Sequence, residues 1–78
     1  MKNPIMKFRK KKGMSISAFA KKINSNTMTV GNVETRGVLN PEEIVRKIGL
    51  AFPDVNEGQL LRDYRKWEEE INNENKTA

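Results

Sequence analysis

Residues Ser15 to Gly37, SISAFAKKINSNTMTVGNVETRG, constrain the fold more than any other stretch of this chain. Ser15 is a good N-cap, because its hydroxyl can accept from a backbone N–H that a helix start leaves unpaired. Ile16, Phe19, Ala20 and Ile23 then recur at helical spacing. Asn24-Ser25-Asn26 is a turn cluster, and Asn26 can cap the segment that follows. Val30 and Val33 give that segment one apolar edge, with Thr27, Met28, Thr29 and Asn32 on or near its open side. The spacing therefore predicts two short helices around a tight turn, the second over 26–34.

The flanks extend the pattern. Residues 4–12 read as a first helix, with Pro4 at the first helical position, Ile5 and Phe8 facing the core, and Gly13 as the stop. Asn40-Pro41-Glu42-Glu43 is a start signal in which Asn40 caps and Glu43 can close a capping box. The helix after it buries Ile44, Val45, Ile48, Ala51 and Phe52 and stops at Pro53. A further N-terminus follows, with Asp54 or Asn56 as cap. Leu60, Leu61, Tyr64, Trp67 and Ile71 then form a stripe at intervals of three or four. The core predicted from these positions is Ile5, Phe8, Phe19, Ala20, Ile23, Val30, Val33, Ile44, Val45, Ile48 and Phe52, in an all-α domain of five helices.

Two helices of about eight residues around a tight turn are the plan of a DNA-reading helix-turn-helix. The register also resembles the phage Cro and repressor (Xre-like) family. Ile5, Phe8, Arg9, Gly13, Met14 and Ser15 match its apolar first helix and the Arg, Gly, apolar and Ser positions around it. Phe19-Ala20 matches its Leu-Ala, Val30 and Val33 its apolar closing positions, and Glu34 the Glu that follows. Pro41 to Phe52 matches its last helix, so the likeness covers residues 5 to 53. The chain departs from the family at Ile16, where Gln is usual, at Asn24 in place of the turn Gly, and at Thr35-Arg36-Gly37 in place of Asn-Gly. The resemblance implies a repressor-like regulator of phage or mobile-element type that binds double-stranded DNA.

Charge is placed unevenly. Residues 1–38 carry nine basic residues against Glu34 alone, a net +8, and residues 39–78 carry six basic against nine acidic, a net −3. The basic half coincides with the two short helices, and a positive field there attracts a polyanion. The alternative is a solvated, solubilising surface. In the DNA reading, Thr27, Met28 and Asn32 face base edges. Asn32 suits an adenine edge and Met28 a thymine methyl. Arg9, Lys10, Lys11, Ser15, Ser17, Lys21, Thr29, Thr35 and Arg36 are the candidate phosphate contacts, with backbone N–H groups at the start of the first short helix beside them. No Lys or Arg lies on 26–34, so the bidentate guanine contact is missing. Ile16 and Met28 also make this face more apolar. That motivates a second class of reading: a small interaction module or antitoxin-like partner that binds another regulator.

Other chemistry finds little support. With no Cys and no His, there is no disulfide framework, no nucleophile–base pair built on them and no ordinary zinc site. There is no Gly-rich phosphate loop, and Glu68-Glu69-Glu70 reads as a solvated helix face. The expectation is no enzyme, no cofactor and no metal. No apolar run approaches a membrane span and no signal peptide is visible, so a cytoplasmic protein of a bacterial host is expected.

The organisation expected is a helix-turn-helix domain over 1–53, an amphipathic helix over 54–73 and a frayed tail over 74–78. At 1.5 Å per residue the amphipathic helix is about 27 Å long, more than the domain needs to cover its core. Leu60 and Leu61 are expected to anchor it. Tyr64, Trp67 and Ile71 are then free for a second copy, giving a homodimer, or for a regulatory protein partner. Truncation before Tyr64 is expected to leave a folded monomer.

Overall fold

The structure is a computed structural model that describes residues 2–77, with side chains to residue 72. It is all-helical among these residues: α1 (Pro4–Lys11), α2 (Ile16–Lys22), α3 (Thr27–Thr35), α4 (Pro41–Ala51) and α5 (Glu57–Thr77). The Cα radius of gyration is 12.1 Å. No described helix is long and apolar enough to cross a membrane.

Local sequence sets the boundaries. The Ser15 hydroxyl accepts from Ala18 N, Asn26 Oδ1 from Thr29 N, and Asn56 Oδ1 from Gln59 N. Asn56, rather than Asp54, therefore caps α5. Gly13 closes α1 at φ 69°, and Asn24 takes the left-handed turn position at φ 58°. Asparagine reaches that region more easily than most residues, because its short polar side chain can bond locally. Asn40 departs from expectation and makes no side-chain cap bond. Its ψ is 72°, short of the 120° to 164° at Asn3, Ser15 and Asn26, which do cap. Pro41 still takes the first helical turn of α4, and Glu42 and Glu43 complement its N-terminal dipole.

The helices close on one core. Helix α3 packs against α1 and α2, while α5 packs against α1 and α4. Ile5, Phe19, Ala20, Ile23, Val30, Val33, Ile44, Val45 and Ile48 are buried, as the spacing predicts. Phe8 and Phe52, predicted as core, are instead partly buried at its edge. Their rings meet edge-on at 5.1 Å, and Phe52 stacks on Phe19 at 5.9 Å. The Lys12 ammonium lies 5.5 Å and 5.6 Å from the Phe8 and Phe52 ring centres and covers the cluster from outside.

The main correction concerns α5. Tyr64 is fully buried, Trp67 is 6% exposed, and Ile71 is half-buried against the same core. Leu60 and Leu61, the expected anchors, do pack against this core and are partly buried. The stripe therefore serves the chain's own core, and Tyr64 and Trp67 cannot offer a surface to a second copy. The Tyr64 hydroxyl donates to the Val33 carbonyl at 2.7 Å, and its ring lies 5.3 Å from that of Trp67. An Arg65–Glu42 ion pair ties α5 to the first turn of α4. The helix continues through Thr77, past the end expected at 73 and through residues read as a frayed tail; residue 78 lies outside the described residues.

Truncation before Tyr64 is thus expected to abolish the cooperative thermal melt, where a packed monomer would show that the part of α5 from Tyr64 onward is dispensable. Tyr64 also gives a pH test. Burial, with the Glu68 carboxylate adding to it, pushes its pKa up from the ordinary value. An unfolded tyrosine ionises near pH 10, at about 10, while the folded one stays neutral. Its contribution is thus complete below that pH and is lost as pH rises above it. The stability gap between wild type and Tyr64→Phe should narrow above about pH 10, at roughly 1.4 kcal/mol per pH unit. A gap constant to pH 11, about one unit beyond the ordinary value, would contradict this burial.

Candidate nucleic-acid interface

Helix α3 shows two sides. Val30, Val33 and Glu34 point into the protein, while Thr27, Met28 and Thr35 are exposed and Gly31 and Asn32 are half-buried. With one turn every 3.6 residues, Thr27, Gly31 and Thr35 form one outward row, and Met28 and Asn32 a second beside it. Met28 is 76% exposed. The three predicted base-contact residues Thr27, Met28 and Asn32 therefore share one side of α3. Thr29 does not. It lines a groove with Val38, Leu39 and Ile44, on the α4 side.

The buried side of α3 is held by polar bonds as well as apolar packing. Gly37 N and Arg36 N both donate to the Asn32 carbonyl. The Val33 carbonyl instead receives Asn3 Nδ2 at 2.9 Å and the Tyr64 hydroxyl at 2.7 Å. Asn3 also accepts from Ile5 N and Met6 N, so one side chain caps α1 and ties it to α3. Sequence reading missed Asn3. The available signal was Asn3-Pro4, the same dipeptide recognised as a helix start at Asn40-Pro41.

Arg9 requires a correction. Predicted as a phosphate contact, it lies buried, with Nε and Nη2 donating to the Glu34 carboxylate at 2.8 Å and 3.0 Å. Nη1 donates to the Met14 carbonyl at 2.8 Å. The bond to Glu34 raises the Arg9 pKa from its ordinary value, against the opposing effect of burial. A guanidinium committed in this way to a buried carboxylate has no fork left for phosphate. Its role is to lock α1 onto α3.

The remaining phosphate candidates lie outside. Lys10, Lys11, Ser15, Ser17, Lys21, Thr35 and Arg36 are all exposed. The Thr35 hydroxyl donates to the Gly31 carbonyl at 2.8 Å. Lys10, Lys11 and Lys21 fall in the last turns of α1 and α2, where they also complement the helix dipoles. With Glu34 buried against Arg9, residues 2–38 expose eight cations and no carboxylate. Of these cations, Lys12 meets Asp54 of the second half at 3.5 Å. Elsewhere on the surface, Leu39 is 99% exposed and Leu50 is 77% exposed. Among the described residues, no group of three or more His, Cys, Asp or Glu is placed to hold a metal ion.

No protein-family model, curated protein or solved structure matches the chain.

The Arg9–Glu34 pair should behave as a single unit. Glu34→Ala leaves a buried guanidinium without its partner and is expected to cost about 3–5 kcal/mol in chemical denaturation. The double replacement Arg9→Leu with Glu34→Leu should recover most of that loss. Additive losses from the two single leucine variants would contradict direct coupling.

Proposed function

We propose that the chain is a double-stranded DNA-binding transcriptional regulator of the repressor kind, reading the major groove with α3. The outer side of α3 carries this reading. Thr27, Met28 and Asn32 stand together on a helix fixed from behind, within a chain half whose exposed charge is positive. The resemblance of residues 5 to 53 to the Cro and repressor family supports the same reading and a phage or mobile-element setting.

The chemistry follows from the side chains. Helix α3 enters the groove N-terminus first. Asn32 can pair with the N6 and N7 edge of adenine, Thr27 with a base or a phosphate, and Met28 with a thymine methyl. Lys10, Lys11, Lys21, Ser17 and Arg36 meet the backbone and set affinity without reading sequence. Because α3 bears no Lys or Arg, sequence-dependent shape carries much of the selectivity.

A second reading rests on the exposed side chains of Met28, Leu39 and Leu50. These suit a small interaction module that binds another regulator. Gel shifts across a salt series, set against co-purification with a protein partner, separate the two readings.

Lys10→Ala with Lys11→Ala should weaken binding to every duplex. If both lysines meet phosphates, the slope of log K against log salt should fall by about 1.8. Asn32→Ala should leave that slope unchanged and reduce discrimination at one base position by about 1–3 kcal/mol. Unchanged affinity in both variants, for every duplex tried, would favour the protein-partner reading.

A further inference from the structure

Gly31 is the middle residue of the outward row of α3, one turn from Thr27 and one turn from Thr35. Its φ lies outside the left-handed region where Gly13 and Gly37 sit. A Cβ added there would meet nothing within 4 Å. Neither backbone conformation nor packing within the chain calls for glycine, and glycine weakens a helix interior relative to alanine. The Thr35 hydroxyl bonds back to the Gly31 carbonyl, so its side chain is folded down along the row. The row is therefore low at its centre and at its C-terminal end.

This shape complements the missing long side chains. A helix that reads bases through arginine or lysine can stand off from the groove floor. One whose hydrogen-bonding arms are Thr27 and Asn32 has short polar reach and must sit deeper, with the exposed Met28 side chain in the row beside Gly31. We infer that Gly31 is the point of closest approach between this protein and its DNA, with base edges of the major groove occupying the space a Cβ would take. The inference rests on the DNA-binding reading and adds to it the depth at which α3 docks. Duplex DNA is the fitting occupant because the exposed charge of residues 2–38 is entirely cationic.

The test compares wild type with Gly31→Ala. The probe is a duplex that wild type enriches from a random-sequence pool, and binding is read by fluorescence anisotropy across a salt series. Nothing in the folded chain obstructs the added methyl, so Gly31→Ala should melt several degrees higher than wild type. Its affinity should nevertheless fall by about tenfold or more, with the salt slope unchanged because the phosphate contacts remain. Higher stability with weaker binding is the signature of close approach. Affinity within about twofold of wild type would overturn the inference and leave the DNA reading standing. If wild type enriches no duplex at all, both fall together.

Discussion

The carbonyl of Val33 is the junction on which the arrangement depends. At a helix end this oxygen has no intrahelical donor, because the Gly37 amide turns to Asn32 instead. Buried without a partner, it would cost about 1–3 kcal/mol. It receives two side chains from opposite ends of the sequence, Asn3 and Tyr64. One residue on, Glu34 receives the guanidinium of Arg9. Helix α1 and helix α5 are thus both tied to the last turns of α3. These bonds fix the inward side of α3 and leave the rows of Thr27–Gly31–Thr35 and Met28–Asn32 facing outward.

The same junction explains α5. A helix of 21 residues looks longer than a small domain requires. Its middle is core: the Tyr64 hydroxyl reaches the Val33 carbonyl on the buried side of α3, and Trp67 follows about one turn later to seal the core beside it. The aromatic pair completes the core that the four shorter helices begin, and Phe8 and Phe52 are left at the lip under Lys12. Size and polar tips suit tyrosine and tryptophan to interfaces, but the same properties suit a core with a stranded carbonyl to satisfy.

Local rules carried the sequence reading where the determinants are local. Ser15, Asn26 and Asn56 cap as their residue types predict, Gly13 and Asn24 take positive φ, and nine of the predicted core positions are buried. The failures are tertiary. Asn3 and Asn40 stand in the same dipeptide, yet only Asn3 has the backbone geometry to cap, and its second bond spans 30 residues. Arg9 and Lys10 are neighbours in a basic run; helical spacing sets Arg9, four residues after Ile5, on the inward side of α1, but its partner Glu34 lies 25 residues away and depends on where α3 docks. For the candidate site, the grouping of Thr27, Met28 and Asn32 was legible from helical spacing. The place of Thr29 on the α4 side was not, because it depends on where α4 docks.

The proposed function rests on what the junction leaves free. Helix α3 presents short polar side chains, one exposed methionine and a bare glycine, and the surrounding half of the chain exposes cations. Leu39 and Leu50 lie elsewhere in the sequence, beyond α3. The most direct test is therefore spatial: an NMR titration of isotope-labelled protein with duplex DNA, read at each backbone amide. Shifts are expected to gather at Thr27, Met28, Gly31 and Asn32 and at the lysine-bearing ends of α1 and α2. Shifts centred on Leu39 and Leu50, or none at saturating duplex, would contradict it.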